Sequence, residues 1–188
     1  VVRLKKRAFN ENSYLGGILT SRLGGDGSYN IAYGGDGVVR VVGDEYLTVR
    51  WAQTFQDSSE NNPLSLDPSG WTVNWERRRQ EGLSYRADIT YSGTDYDPGI
   101  GFEMIDDFIA SGLGLKYTWI SPEASWLQSH YISWFNYIFF RIPDYTLMMY
   151  NLNPTWNFSS KTSWMGSIGP VYRIDQLEEE YEVADDVI

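Results

Sequence analysis

The chain has 188 residues, a formal net charge of -10, a single histidine and no cysteine. That charge repels phosphate backbones, and no basic cluster interleaves with the aromatics, so nucleic acid is not an expected partner; missing thiols exclude disulfides, thiol nucleophiles and thiolate metal sites. Aromatics make up 16% of the residues although mean hydropathy is negative, and no stretch of eighteen apolar residues offers a helical membrane span.

In chain order, Val1 to Arg7 is a short basic lead-in with strand character, and Asn10 to Asn12 reads as a turn. Tyr14 to Ser21 is strand-like, with Gly16 and Gly17 suiting a curved wall. Gly24 to Gly27 makes a loop, and Tyr29 to Val42 a long strand interrupted at Tyr33 to Gly37 (YGGDG), where a bulge or a close backbone approach is expected. After the turn at Gly43 and Asp44, Tyr46 to Gln56 alternates, with Leu47, Val49, Trp51 and Phe55 on one face and Thr48, Arg50, Ala52 and Thr54 on the other. The long polar connection Asp57 to Ser69 leads into Trp71 to Arg79. Gln80 to Gly82 turns the chain into Leu83 to Ser92, where Leu83, Tyr85, Ala87, Ile89 and Tyr91 oppose Ser84, Arg86, Asp88, Thr90 and Ser92. A second long connection, Gly93 to Ser111, precedes Gly112 to Ile120. Ser121 to Ser125 is short, Trp126 to Ile142 is the most aromatic strand, and Pro143 with Asp144 turns it back into Tyr145 to Phe158. Ser159 to Thr162 leads to a last strand, Ser163 to Arg173, and an acidic run, Gln176 to Asp186.

Roughly nine two-faced strands with connections that alternate short and long are the pattern of a membrane barrel, which sets short turns at one rim and long loops at the other and turns its apolar side chains outward. Pro143 to Asp144 breaks the alternation and reads as a short external loop or a missed strand. Tyr46, Trp71, Tyr91, Trp119 and Trp126 fall at strand ends, where aromatic girdles sit, and Arg50, Glu76, Arg86, Asp88 and Lys116 fall on polar faces suited to a wet lumen. The same alternation occurs in soluble sandwiches, where the oily side meets a second sheet. Trp126 to Ile142 is apolar on both sides, with Tyr131, Phe135, Tyr137 and Phe139 on one and Ile132, Trp134, Ile138 and Phe140 on the other, so either a plug, loop or further domain packs against it or it is a buried strand of a soluble fold.

Catalytic signals are thin. Ser129 neighbours His130 in sequence, but adjacent strand residues face opposite ways, so the histidine reads as part of a girdle or lumen wall. Asp95, Asp97, Glu103, Asp106 and Asp107 cluster in one long connection; they offer hard oxygens to calcium without the spacing of a known calcium loop, and solvated acids are the plainer reading. Asp57, Glu60 and Asp67 pose the same question in the other. Arg77 to Arg79 suit a strand end near lipid headgroups or water. No catalytic residue, metal ligand or cofactor is assigned.

Arg7 with Asn12 to Ser21 (NSYLGGILTS), Tyr29 to Gly37 (YNIAYGGDG) and Asp97 to Phe102 (DPGIGF), in this order and spacing, resemble the large outer-membrane β-barrel proteins of Bacteroidetes-type bacteria that carry an N-terminal domain similar to family 9 carbohydrate-binding modules; their barrel is known as domain of unknown function 5916. The likeness covers roughly the first two thirds of the chain. It departs in lacking the sugar-binding module and in Glu103 to Asp107 (EMIDD), where a basic residue is expected. The resemblance implies an outer-membrane location in a Gram-negative bacterium and a link to glycans, and supplies no catalytic residues. The expectation is therefore an all-β, antiparallel up-and-down meander, residues 1 to 188 forming one segment of a transmembrane barrel cut from a longer chain. It would contact the lipid bilayer and act in passage or recognition of a solute or glycan. A soluble carbohydrate-binding sandwich and an outer-membrane hydrolase using loop carboxylates are the alternatives.

Overall fold

The computed structural model describes residues 1 to 57, 61 to 99 and 107 to 176. All regular structure among them is β: β1 (Val2–Arg7), β2 (Tyr14–Leu23), β3 (Tyr29–Val42), β4 (Glu45–Gln56), β5 (Ser69–Arg77), β6 (Gly82–Ser92), β7 (Phe108–Ile120), β8 (Leu127–Arg141), β9 (Leu147–Ser160), β10 (Met165–Ile168) and β11 (Tyr172–Asp175). Each strand from β1 to β10 pairs antiparallel with the next, giving one up-and-down sheet, and β11 joins the same edge of β9 as β10. Among the described residues β1 does not pair with β10 or β11, so the sheet has two edges.

β10 and β11 behave as one strand. Met165 opposes Ser159 and Tyr172 opposes Leu152, which is the same register carried across the break. Counting outward from those pairs sets Pro170 opposite Pro154. Two residues without an amide hydrogen face each other where the ladder is interrupted.

The glycine-rich middle of β3 holds a regular ladder on both sides rather than a bulge. The register shift with β4 falls later, between Arg40 and Val42. A close approach does occur in the glycine stretch: a Cβ on Gly34 would collide with the Trp51 carbonyl and lie 2.9 Å from the Ala52 Cα. Glycine here lets two backbones meet without a bulge. No strand hides at Pro143 and Asp144; Tyr145 turns in the left-handed region (φ 54°) and its N–H donates to the Arg141 carbonyl at 2.9 Å. The strand expected from Gly112 starts earlier, at Phe108, because polar Ser111 is followed back by Phe108, Ile109 and Ala110 in phase with the ladder.

Register carries each side chain onto one of two sheet faces. Leu47, Trp75, Ala87 and Leu113 share one, with Val49, Val73 and Ile89 beside them. The other carries Arg3, Lys5, Asp36, Arg50, Glu76, Arg86, Asp88 and Lys116. In β4 to β9 every exposed large apolar or aromatic side chain except Ile120 and Phe135 lies on the first face. Among the described residues the buried hydrophobic core is limited to Ala32, Phe108 and Ala110, and no second sheet covers either side.

Candidate functional site: the polar face and its inward loop

Long connections leave the sheet at one rim. The segment Gly93 to Gly99 does not extend away from it but folds across the polar face. The ring of Tyr96 rests where a Cβ of Gly70 would stand, 2.7 Å from that position. Thr54, 1% exposed, lies beneath the loop; its hydroxyl donates to the Asp95 carbonyl at 3.4 Å and accepts the Asp97 N–H at 3.4 Å, and it also reaches the Pro68 carbonyl at 3.2 Å. Farther on, Asn30 donates to the Asp97 carbonyl at 2.8 Å and accepts the Gly99 N–H at 3.0 Å. Asn30, Thr54 and Gly70 belong to β3, β4 and β5, so the loop spans three strands of the polar side. Its root is tied to the other long loop, with the Gly93 and Asp95 N–H groups donating to the Ser69 and Asp67 carbonyls, each at 3.0 Å.

Under this loop lies a pocket of about 600 Å³ whose walls include Arg3, Tyr14, Asp36, Arg50, Thr72, Thr90, Tyr96 and Pro98. Arg3 of β1 donates to both oxygens of Asp36 on β3, at 3.0 and 3.1 Å, reaching over β2. Arg50 sits directly opposite Asp36 in the β3–β4 register. That carboxylate is engaged by Arg3, and the Arg50 guanidinium makes no ion pair or hydrogen bond among the described residues.

The expected lumen residues Arg50, Glu76, Arg86, Asp88 and Lys116 share one face. Glu76 faces Arg86 across the β5–β6 pair and accepts from Arg78 at 2.9 Å; Arg86 donates to Asp88 at 3.0 Å; Lys116 stands 5.4 Å from the Tyr131 ring centre. They form two neighbouring patches rather than one cluster. Arg50 belongs to the pocket and the others to the middle strands.

Four of the expected girdle aromatics are associated with the apolar side. Trp71 and Tyr91 stack at 5.6 Å near the loop rim, Trp119 packs 5.0 Å from His130 near the short-turn rim, and Trp126, just before β8, meets Phe158 at 5.8 Å. Tyr46 lies on the polar face, opposite Arg40 and Glu76, with the Arg78 guanidinium 4.2 Å over its ring. Its position at a strand end suggested a girdle, but phase within the strand decides the face.

Of the acidic loop residues, Asp95 and Asp97 are exposed and engage the loop through backbone groups, Asp107 precedes β7, and Glu103 and Asp106 lie outside the described residues. Glu60 does so too. Among the described residues no group of three or more His, Asp or Glu is arranged to hold a metal ion. At the loop rim, hydroxyl and backbone hydrogen bonds from Ser28 to Asp26, and from Thr146 to Asp144, hold both carboxyls below their ordinary pKa. His130 stands among rings on the apolar face, away from the side chains of Ser129 and Ser133.

Sequence reading passed over Glu45. It is 7% exposed and accepts hydrogen bonds from the Trp75 indole at 3.0 Å, the Tyr85 hydroxyl at 2.7 Å and Arg77 at 2.6 Å, all on the apolar face at the short-turn rim. The signal was its phase: position 45 continues the series 47, 49 and 51 one step toward the turn. The aromatic row expected on one side of β8 is present on the polar side, where Phe135, Tyr137 and Phe139 meet at 5.7 Å intervals; what sequence reading missed is the row of amides beside it. Directly opposite on β9, Asn153 faces Phe135, Asn151 faces Tyr137 and Asn157 faces Tyr131.

Comparison with protein-family models, curated proteins and solved structures returns no match. The chemistry is read from this geometry.

Proposed function

We propose that this chain forms a large part of the wall of a membrane-spanning β-barrel whose polar face lines a water-filled passage for a solute, the outer membrane being the location that the family resemblance favours. One observation carries the reading: in a single-layer sheet the exposed large apolar side chains of β4 to β9 lie on one side, Ile120 and Phe135 excepted. Thirteen such residues in β4 to β9 lie on that side, each more than a third exposed. Fully burying a large apolar side chain is worth about 1.5–3 kcal/mol, so leaving thirteen half-wet forgoes on the order of 10–20 kcal/mol. A whole domain is stable by only about 5–15 kcal/mol. Water is therefore a poor neighbour for this face and lipid a good one.

Strand length agrees. β6 to β9 contain 11, 13, 15 and 14 residues, enough for a tilted strand, which needs about 9–11 to cross the hydrocarbon layer. A soluble sandwich would cover the apolar face with a second sheet, and the described residues supply none. Glycan contact has a narrower basis in the β8–β9 ladder, where rings for the apolar faces of sugars adjoin amides for their hydroxyls.

Partitioning tests the barrel. The natural full-length protein is expected in the outer-membrane fraction, extracted by detergent, and to migrate differently on a gel before and after boiling. A water-soluble monomer with no heat-dependent shift sinks the proposal.

A further inference from the structure

The pocket under the inward loop has a charge character opposite to that of the whole chain. On the polar face of β1 to β4 the basic residues are Arg3, Lys5, Arg7, Arg22, Arg40 and Arg50, and the only acid is Asp36. The net charge of -10 is contributed outside this pocket, much of it by the acidic run after Arg173 and by the long loops; Asp95 and Asp97 of the Gly93 to Gly99 segment are exposed and do not line the pocket. Ionic screening confines a charge's influence to about 8–10 Å in physiological salt, so a solute at this wall responds to the local arginines rather than to the total.

We infer that the Gly93 to Gly99 loop and the basic wall beneath it form an anion-binding constriction, which admits small carboxylate- or phosphate-bearing solutes in preference to cations. The inference rests on the barrel reading, in which the polar face is the lumen. Three independent features meet at this point. The loop is fixed inward by Asn30 and Thr54, and so narrows the passage instead of capping it from outside. A pocket of about 600 Å³ remains below it, large enough for a small organic anion. Arg50 projects into that pocket with its fork of donors unengaged, while the neighbouring carboxylate of Asp36 is occupied by Arg3. A planar guanidinium matches carboxylate and phosphate oxygens two at a time, and the Thr72 and Thr90 hydroxyls, 3.2 Å from each other, offer further hydrogen bonds on the same wall.

Planar-bilayer recording of the full-length protein under a potassium chloride gradient tests this. The wild type is expected to show a reversal potential on the chloride side, and millimolar inorganic phosphate is expected to reduce the chloride current. Arg50→Glu should lower the chloride-to-potassium permeability ratio by about threefold or more and abolish the phosphate effect. Arg50→Gln should give an intermediate ratio, and covers the case in which the charge reversal does not fold. Heat-dependent gel migration verifies each variant. Open channels with no chloride preference, or a ratio unmoved by both variants, overturn the inference and leave the barrel standing. No conductance from a correctly inserted protein overturns both the inference and the reading of the polar face as a water-filled passage, leaving only the membrane-spanning wall.

Discussion

Gly34 shows how a single hydrogen atom in place of a side chain sets the geometry of the wall. Its missing Cβ is what allows β3 and β4 to hold register past Trp51 and Ala52. Gly34→Val is expected to destabilise the sheet by about 1–3 kcal/mol, the usual cost of forcing volume into a closed site. The adjacent Gly35 points to the apolar side, where a Cβ would stand 3.6 Å from the Gly16 carbonyl at ordinary contact distance, so Gly35→Ala should be close to neutral. Denaturant midpoints of the folded gel band measure both. Equal losses at the two positions would mean that backbone freedom, not space, explains the glycines. Such residue-scale detail was only partly legible: YGGDG announced a close approach, but not which of its glycines makes it. Glu45 was hidden for a different reason, since an acid beside Asp44 reads as part of a turn until the ladder fixes its phase.

Among the elements, the strands were the most legible and the inward loop the least. Alternation placed nine strands and their faces because side-chain direction in a strand depends on parity alone. Alternation cannot say where a loop goes. DPGIGF advertises turns, and the position of Gly93 to Gly99 depends on Thr54 and Asn30, which precede it by tens of residues and look like ordinary polar-face members. Thr54→Val keeps the shape and removes the hydroxyl. It is expected to cost the docked loop on the order of 1 kcal/mol, to raise single-channel conductance, and to increase proteolysis between Gly93 and Gly99 while the boiled-versus-unboiled gel shift persists. A variant with wild-type conductance and cleavage would show that Asn30 alone holds the loop.

For the molecule as a whole, each strand from β1 to β10 pairs with its sequence neighbour and β11 with β9, so among the described residues no strand pairing waits for a distant segment. Local pairing of this kind keeps the entropic cost of closure low. The sheet has two edges, β1 at one and β10 with β11 at the other. β1 presents Lys5 and Arg7 on one side and Lys6 on the other, and charged edges discourage indiscriminate strand addition. The aromatic ladder on β8 departs from the more polar face it shares; the expectation of a plug, loop or further domain against this strand arose from apolar residues on both of its sides, and among the described residues no second sheet covers that face.

The facing prolines of the last strand have a consequence in time. The Pro154 carbonyl points toward Gly169, where a Cβ would collide with it, and in an antiparallel ladder a residue's amide and carbonyl face the same neighbour. The donor absent from Pro154 is therefore absent from the gap between β10 and β11. With the rungs missing there, Met165 to Ile168 and Tyr172 to Asp175 can open separately. Amide exchange is expected to show two protection levels along this edge, each half fluctuating without the other, whereas one shared rate would mean that the register across the gap is enforced by side chains alone.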